Sequence, residues 1–145
     1  MDQLDTLFRD KKLRLTRPRR ALYRILSKSH EPLDLTTINT LITESDRTST
    51  YRNLELFAAI GIIEVIHVGW KKRYELAAPF APHHHHLVCI VCGSLTALDT
   101  PEIETIVETL ARKYTYEITD HHFELRGICS ACPAHFSRQS KSASE

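Results

Sequence analysis

The stretch RTSTYRNLELFAAIGIIEVIHVGWKKRYELA, residues 47–77, contains two periodicities in succession. In its first half the apolar residues Leu54, Phe57 and Ala58 recur at helical spacing, and Gly61 is a typical helix stop. In its second half IIEVIHV and KKRYELA alternate in polarity on either side of the dipeptide GW, as the two strands of a hairpin do. The stretch therefore predicts a helix followed directly by a two-stranded hairpin.

Two further helices are predicted before this stretch. Thr16 precedes RPRRALYRIL, in which Pro18 occupies the first turn, where the missing N–H does no harm. Asp34 is the expected N-cap of LTTINTLITES. Their apolar stripes are Leu22, Ile25 and Leu26 in the first helix and Ile38, Leu41 and Ile42 in the second. Three helices followed by a hairpin are the plan of a winged helix-turn-helix domain, within an α+β protein.

Composition and charge divide the 145 residues into two parts. Residues 1–80 hold fourteen Lys and Arg against ten Asp and Glu, whereas the remainder is net negative and contains all four cysteines and seven of the nine histidines. The boundaries that we predict are a winged-helix domain at 1–78, a Pro-containing hinge at 79–82, a metal-binding domain at 83–134 and a disordered tail at 135–145. The first half suits a polyanion and the second suits metal.

The N-terminal residues MDQLDTLFRDKK are charged and lack the apolar core of a signal peptide. No apolar run approaches the roughly 20 residues that span a bilayer. We therefore expect a cytoplasmic protein. In that reducing compartment four cysteines favour metal ligation over disulfides.

The third helix is the candidate for reading DNA. Its first turns carry hydroxyls, a phenol and a guanidinium, which are groups that contact phosphates and base edges in the major groove: Thr48, Ser49, Thr50, Tyr51 and Arg52. A solvated helix start with ordinary capping residues is the alternative. Residues 9–28 contain nine basic residues and one acidic residue. This excess of positive charge favours contact with phosphates over a plain charged helix face.

The cysteines form two knuckles, Cys89-x-x-Cys92 and Cys129-x-x-Cys132. Four thiolates close a tetrahedral shell with no open position, which is the chemistry of a structural zinc site. The separation of the knuckles exceeds that of a simple zinc ribbon, so a subdomain is expected between them. A disulfide pair or an iron–sulfur cluster is the alternative.

Four consecutive histidines precede the first knuckle. If the run is an extended strand, alternate side chains point to opposite faces, so that His83 and His85 share one face and His84 and His86 the other. One ion is not easily bound from both faces of a strand. The run therefore indicates two sites, with a solvated surface tract as the alternative.

A second alternation, in ITDHHFELRG, places His121 inward and His122 in solvent. Between these strands PEIETIVETLARK predicts a helix with the core stripe Ile103, Ile106, Val107 and Leu110. Glu104 lies beside that stripe. His83, His85, Glu104 and His121 would form a His₃Glu shell suited to zinc or ferrous iron, unless Glu104 is an ordinary solvated glutamate.

The motifs RPRRALYRIL, TSTYRNLELFAAIGII, HHHHLVCIVCG and HHFELRGICSAC together resemble the ferric uptake regulator family of bacterial metal-sensing repressors, over roughly residues 10–133. The resemblance implies a winged-helix DNA-binding domain joined to an α/β dimerisation domain. It also implies a homodimer that binds AT-rich pseudo-palindromic operators with a divalent metal as corepressor.

The resemblance also implies particular site residues. The four cysteines match the structural zinc ligands, and the His₃Glu set matches a site in the dimerisation domain. Arg14 and Arg19 match a minor-groove and a phosphate contact, and Tyr51 and Arg52 match recognition-helix contacts. The regulatory interdomain site would use Glu64, Glu75, His84 and His86.

The residues leave open which metal is sensed. Zinc-sensing members place a cysteine where Ala77 stands, and peroxide sensors place an acid where Ala97 stands. Imidazole-rich shells favour zinc over ferrous iron, and manganese- or peroxide-responsive members are further alternatives. From other classes, a zinc metalloenzyme or a metal-buffering protein would explain the ligands but not the helix-turn-helix, so we expect no enzyme.

Overall fold

The computed structural model describes residues 2–119 and 121–132, and it divides into two compact units, Met1–His83 and a second that begins at His84. The expected tail at 135–145, and with it the end of the second domain, lies outside the described residues. No helix among the described residues has the length and apolar character needed to cross a bilayer.

The first unit contains four helices and a three-stranded sheet. The helices are α1 (Asp2–Asp10), α2 (Arg17–Lys28), α3 (Leu35–Leu41) and α4 (Arg47–Ala59). The strands are β1 (Leu33–Asp34), β2 (Ile63–Val68) and β3 (Lys71–Leu76), in the antiparallel order β1-β3-β2. The predicted winged helix-turn-helix is confirmed, and α1 and β1 are additions to it.

The hairpin turns where the sequence predicts it. Val68 pairs with Lys71, so that Gly69 and Trp70 form a two-residue loop. Gly69 has a φ of 60°, a conformation that glycine adopts without steric cost. Trp70, at the tip of the hairpin, is fully exposed.

The core of the first unit joins all four helices to the hairpin. Helix α1 buries Leu4 and Phe8, one turn apart, and the Phe8 ring lies edge-on to Phe57 of α4 at a centroid distance of 6.1 Å. Asp34 caps α3 as predicted, because its carboxylate accepts a hydrogen bond of 2.8 Å from the Thr37 amide. A guanidinium–carboxylate pair between Arg20 and Asp5 further ties α2 to α1.

Two details of the predicted stripes are corrected. Helix α3 ends at Leu41 rather than continuing to residue 45, and Leu41 is 54% exposed. The buried side of this segment is Ile38 and Ile42, four residues apart, and Leu41 lies off that line. In α2, Leu22 and Leu26 are buried and Ile25 is half-buried.

The second unit is a three-stranded sheet with one helix. Its strands are β4 (His85–Cys89), β5 (Leu95–Leu98) and β6 (Glu124–Gly127), and its helix is α5 (Pro101–Tyr114). Strand β4 is central, antiparallel to β5 and parallel to β6. The predicted helix is present, but its expected core stripe is not buried within one chain: Ile106 is 58% and Leu110 46% exposed.

Candidate metal centres and nucleic-acid interface

The sheet of the second unit brings the two cysteine knuckles together. Strands β4 and β6 are parallel neighbours, with Cys89 opposite Gly127, so both strands end at the same edge of the sheet. Cys89 is the last residue of β4, and Cys129 follows two residues after the end of β6. The first knuckle turns at Gly93, which has a φ of 73° and donates its amide hydrogen to the Cys89 carbonyl.

The four sulfurs have the spacing of a tetrahedral metal shell. Sγ of Cys89 lies 3.7 Å from that of Cys132, Cys92 lies 3.7 Å from Cys129, and Cys129 lies 3.5 Å from Cys132. A zinc–sulfur bond of about 2.3 Å gives a tetrahedral edge of about 3.8 Å. All four cysteines are free thiols, and their Sγ atoms lie within 4.8 Å of one another. The residues therefore fit zinc, and the disulfide alternative does not match the structure.

The thiols differ in acidity because their hydrogen bonds differ. The Cys129 amide donates to Sγ of Cys89 at 3.3 Å and lowers the pKa of Cys89 to about 5. The hydrogen bond to Cys129, together with burial and the other thiols, raises the pKa of Cys132 to about 12. A divalent cation at the centre stabilises all four thiolates and offsets their mutual repulsion.

A second group of ligand atoms converges on Glu104, in the first turn of α5. Its Oε1 lies 3.1 Å from Nε2 of His85 and 3.2 Å from Nε2 of His121. His85 is buried, and its ring centroid lies 5.2 Å from that of His121. Metal–ligand bonds of about 2.05 Å give a tetrahedral edge of about 3.3 Å, close to both distances. The donor set suits a divalent ion.

The other members of the histidine run are placed as follows. His83 is exposed and ends the first unit. His86 is buried, His84 is half-buried, and their ring centroids lie 4.7 Å apart. His122 is exposed, in accord with the predicted alternation. In the first unit Glu64 of β2 and Glu75 of β3 are direct cross-strand partners.

Helix α4 of the first unit presents the candidate DNA-reading surface. Asp46 caps the helix by accepting hydrogen bonds from the amide and the hydroxyl of Ser49. Tyr51 and Arg52 are exposed. The Tyr51 phenol bonds the Glu55 carboxylate one turn later, which raises the phenol pKa.

Thr50 does not belong to that surface. It is fully buried, and its hydroxyl donates to the Ser45 hydroxyl at 3.1 Å. Thr50, Leu54 and Phe57 follow the spacing i, i+4, i+7, which places Thr50 on the buried face of the helix. The expectation that Thr50 contacts DNA is therefore corrected, and the spacing to Leu54 was the signal in the sequence that indicated its burial.

A profile of the ferric uptake regulator family matches residues 10–126. The chain belongs to this family. It is 30% identical to the ferric uptake regulation protein of Bacillus subtilis (strain 168) over 139 residues, covering 91% of this chain and 93% of that protein. It is also 30% identical to the protein of that name from Rhizobium leguminosarum bv. viciae over 130 residues, covering 86% and 90% of the two chains.

The fold agrees with a solved member of the family. The structure of the Helicobacter pylori ferric uptake regulator Fur, described as revealing three functional metal binding sites, superposes with a TM-score of 0.75 at 25% identity. The match covers 90% of this chain and 89% of that one. The family consists of transcriptional regulators, and the cysteine and His/Glu groups of this chain fit a structural zinc ion and a further divalent metal.

Proposed function

We propose that the protein is a homodimeric, metal-dependent repressor of metal-uptake genes that acts in the cytoplasm. A structural zinc ion stabilises the second unit, and a regulatory divalent ion, zinc or ferrous iron, promotes operator binding. The proposal rests mainly on the observation that a single chain contains both a winged helix-turn-helix and a closed four-thiolate site.

The DNA-binding half of the proposal is supported by the surface of the first unit. Arg14 and the α4 residues Tyr51 and Arg52 are exposed, and the half-buried Ser49 stands in the first turn of α4. The N-terminal half of the chain also carries the basic excess that attracts phosphates. We propose that Tyr51 and Arg52 contact base edges and that Arg14 enters the minor groove.

The metal half is supported by the donor sets. We assign the structural zinc to Cys89, Cys92, Cys129 and Cys132. We assign a second ion to His85, Glu104 and His121, with His83 as the fourth ligand. The regulatory ion is assigned, by resemblance to the family, to Glu64 and Glu75 of the wing together with His84 and His86. The three sites described for the Helicobacter pylori protein support this number.

The dimer is supported by apolar side chains that one chain leaves exposed in the second unit. Each of these side chains is at least 39% exposed: Leu87, Ile90, Val91, Ile106, Leu110, Phe123 and Leu125. Apolar surface of this density on one small unit is typical of a protein–protein interface. A metalloenzyme has weaker support, because a catalytic metal needs an open coordination position and four thiolates leave none.

Paired histidine variants test the assignment. His84→Ala with His86→Ala should abolish metal-responsive binding to DNA selected from a random pool, and the dimer should remain. The matched pair, His83→Ala with His85→Ala, should instead lower the stability of the second unit. Elemental analysis of both proteins should show the loss of a different ion from each. Loss of the same ion from both would refute the assignment of two sites.

A further inference from the structure

Arg19 of helix α2 connects three segments of the first unit. Its Nε donates to Oδ1 of Asn53 in α4 at 3.1 Å, and its Nη1 donates to the backbone carbonyl of Arg14 at 2.6 Å. Its guanidinium carbon lies 5.7 Å from the centroid of the Phe8 ring in α1. One half-buried cation thus contacts α1, the segment between α1 and α2, and α4.

The bond to Arg14 reaches a part of the backbone that has little other support. The Leu13 amide still donates to the Phe8 carbonyl, and the Thr16 carbonyl accepts from the Arg20 amide. Between them, no backbone–backbone hydrogen bond of Arg14 is found among the described residues. A charge-assisted hydrogen bond from a guanidinium is about twice as strong as a neutral one. The bond from Arg19 therefore holds the Arg14 carbonyl in place.

The two partners of Arg19 lie at or beside the residues that we assign to DNA contacts. Arg14 is the exposed basic residue proposed for the minor groove, and Asn53 directly follows Tyr51 and Arg52 on α4. Phosphate and groove contacts on one duplex must be made at the same time, so the spacing between the segments that make them determines affinity.

We propose that Arg19 is a positioning residue for DNA binding, which holds the Arg14 segment at a fixed distance from the recognition helix through Arg14 O and Asn53 Oδ1. The proposal rests on the proposed DNA-binding function. It replaces the expectation of a phosphate contact, because Arg19 directs both Nε and Nη1 to partners within the chain. Its contribution to binding passes through Arg14.

A charge-preserving variant separates positioning from direct phosphate contact. Arg19→Lys keeps the positive charge, but an ammonium lacks the planar fork that reaches both acceptors. We expect Arg19→Lys to weaken binding to the selected operator on the order of tenfold, the range of coupling between contacting residues. The slope of log affinity against log salt should fall by about one in Arg19→Lys, the same change that we expect for Arg14→Ala, because the contact of Arg14 with DNA is lost in both variants.

A double-mutant cycle identifies the residue through which Arg19 acts. In the Arg14→Ala background, Arg19→Lys should cost little further affinity. Arg17→Lys, at the exposed start of the same helix, is the matched control, and its effect should add to that of Arg14→Ala. Wild-type affinity and salt slope in Arg19→Lys, or additive losses with Arg14→Ala, would overturn the proposal in favour of a phosphate contact.

The order of the Arg14 segment can also be measured in the protein without DNA, so this test does not depend on operator binding. Backbone ¹⁵N order parameters of Arg14 and Leu15 should fall from about 0.85 in the wild type to below about 0.6 in Arg19→Lys. Order parameters within α2 and α4 should stay unchanged, which excludes general unfolding. Asn53→Leu removes one acceptor without altering Arg19 and should give a smaller loss of order in the same segment. Unchanged order parameters in both variants would disprove the connection whatever the DNA result.

Discussion

Replacement of Cys132 by serine should unfold the second unit while the first remains folded. Within one chain, the second unit has little apolar burial to stabilise it without metal. Among its described residues the buried side chains are those of His85, His86, Val88, Cys89 and Cys132. Two of these are zinc ligands in the proposed site, and helix α5 contributes none.

The expected unfolding follows from a comparison of the free energy of apolar burial with the free energy of zinc binding. Complete burial of Val88 contributes about 1.5–3 kcal/mol. Structural zinc contributes an apparent 10–16 kcal/mol in small zinc domains, which is about the whole stability of an ordinary domain. Loss of one thiolate therefore removes more free energy than the remaining contacts of this unit provide within one chain, and we expect the dimer to be lost together with the fold of the unit. The first unit has its own core of thirteen buried residues and should not depend on the ion.

Zinc analysis measures the loss of the ion, and amide hydrogen exchange measures which of the two units unfolds. Cys132→Ser should lose the cysteine-bound zinc, and amides of α5 and β4 should lose protection while those of α2 and α4 keep it. Ser94→Ala is the matched control, since the Ser94 hydroxyl contacts the Cys92 thiol at 3.2 Å but is no ligand of the proposed site. A zinc-free Cys132→Ser protein with wild-type protection in α5 would show that the second unit folds without the cysteine-bound zinc, contrary to this prediction.

Three further substitutions test individual residues. Thr50→Val should lower the free energy of unfolding by about 1 kcal/mol, because the hydrogen bond to the Ser45 hydroxyl is lost. The operator affinity of the folded protein should not change. A loss of affinity without a loss of stability would show that Thr50 does contact DNA. Asp34→Ala should cost about 1 kcal/mol at neutral pH in urea unfolding. The Thr37 amide lowers the pKa of Asp34 from 3.8, so this difference should persist above that pH and vanish as the pH falls through the lowered pKa; a constant difference down to strong acid would contradict the cap. Glu104→Gln should lose the histidine-bound ion and keep the cysteine-bound zinc by elemental analysis, and retention of both would remove Glu104 from the ligand set.

The elements that the sequence predicts are those with local causes. The period of α4, the alternation of the hairpin and the cap at Asp34 each depend on residues a few positions apart. The cysteine knuckles also belong to this class, because Cys-x-x-Cys spacing implies a metal site before any fold is known. Parallel pairing of β4 with β6 then brings the two knuckles to one edge.

The features that the sequence does not predict depend on distant residues or on surfaces completed by other chains. Arg19 and Asn53 are 34 positions apart, so no periodicity connects them. Helix α1 could be recognised as amphipathic, but not as part of the core beside Phe57. The sequence predicts the apolar stripe of α5, but Ile106 of that stripe is exposed because none of the described residues covers it.

In the proposed function, metal binding and DNA binding are coupled. The affinity of the dimer for its selected operator, measured with and without regulatory metal, tests this coupling most directly. Fluorescence anisotropy titrations with zinc, ferrous iron and manganese, side by side, should show at least one ion that raises operator affinity by about 5- to 150-fold, the range of ordinary allosteric coupling. The cysteine-bound zinc must be retained throughout, and an unrelated duplex of equal length should show no such gain. Equal operator affinity in metal-loaded and metal-depleted protein, with all three ions, would contradict this coupling.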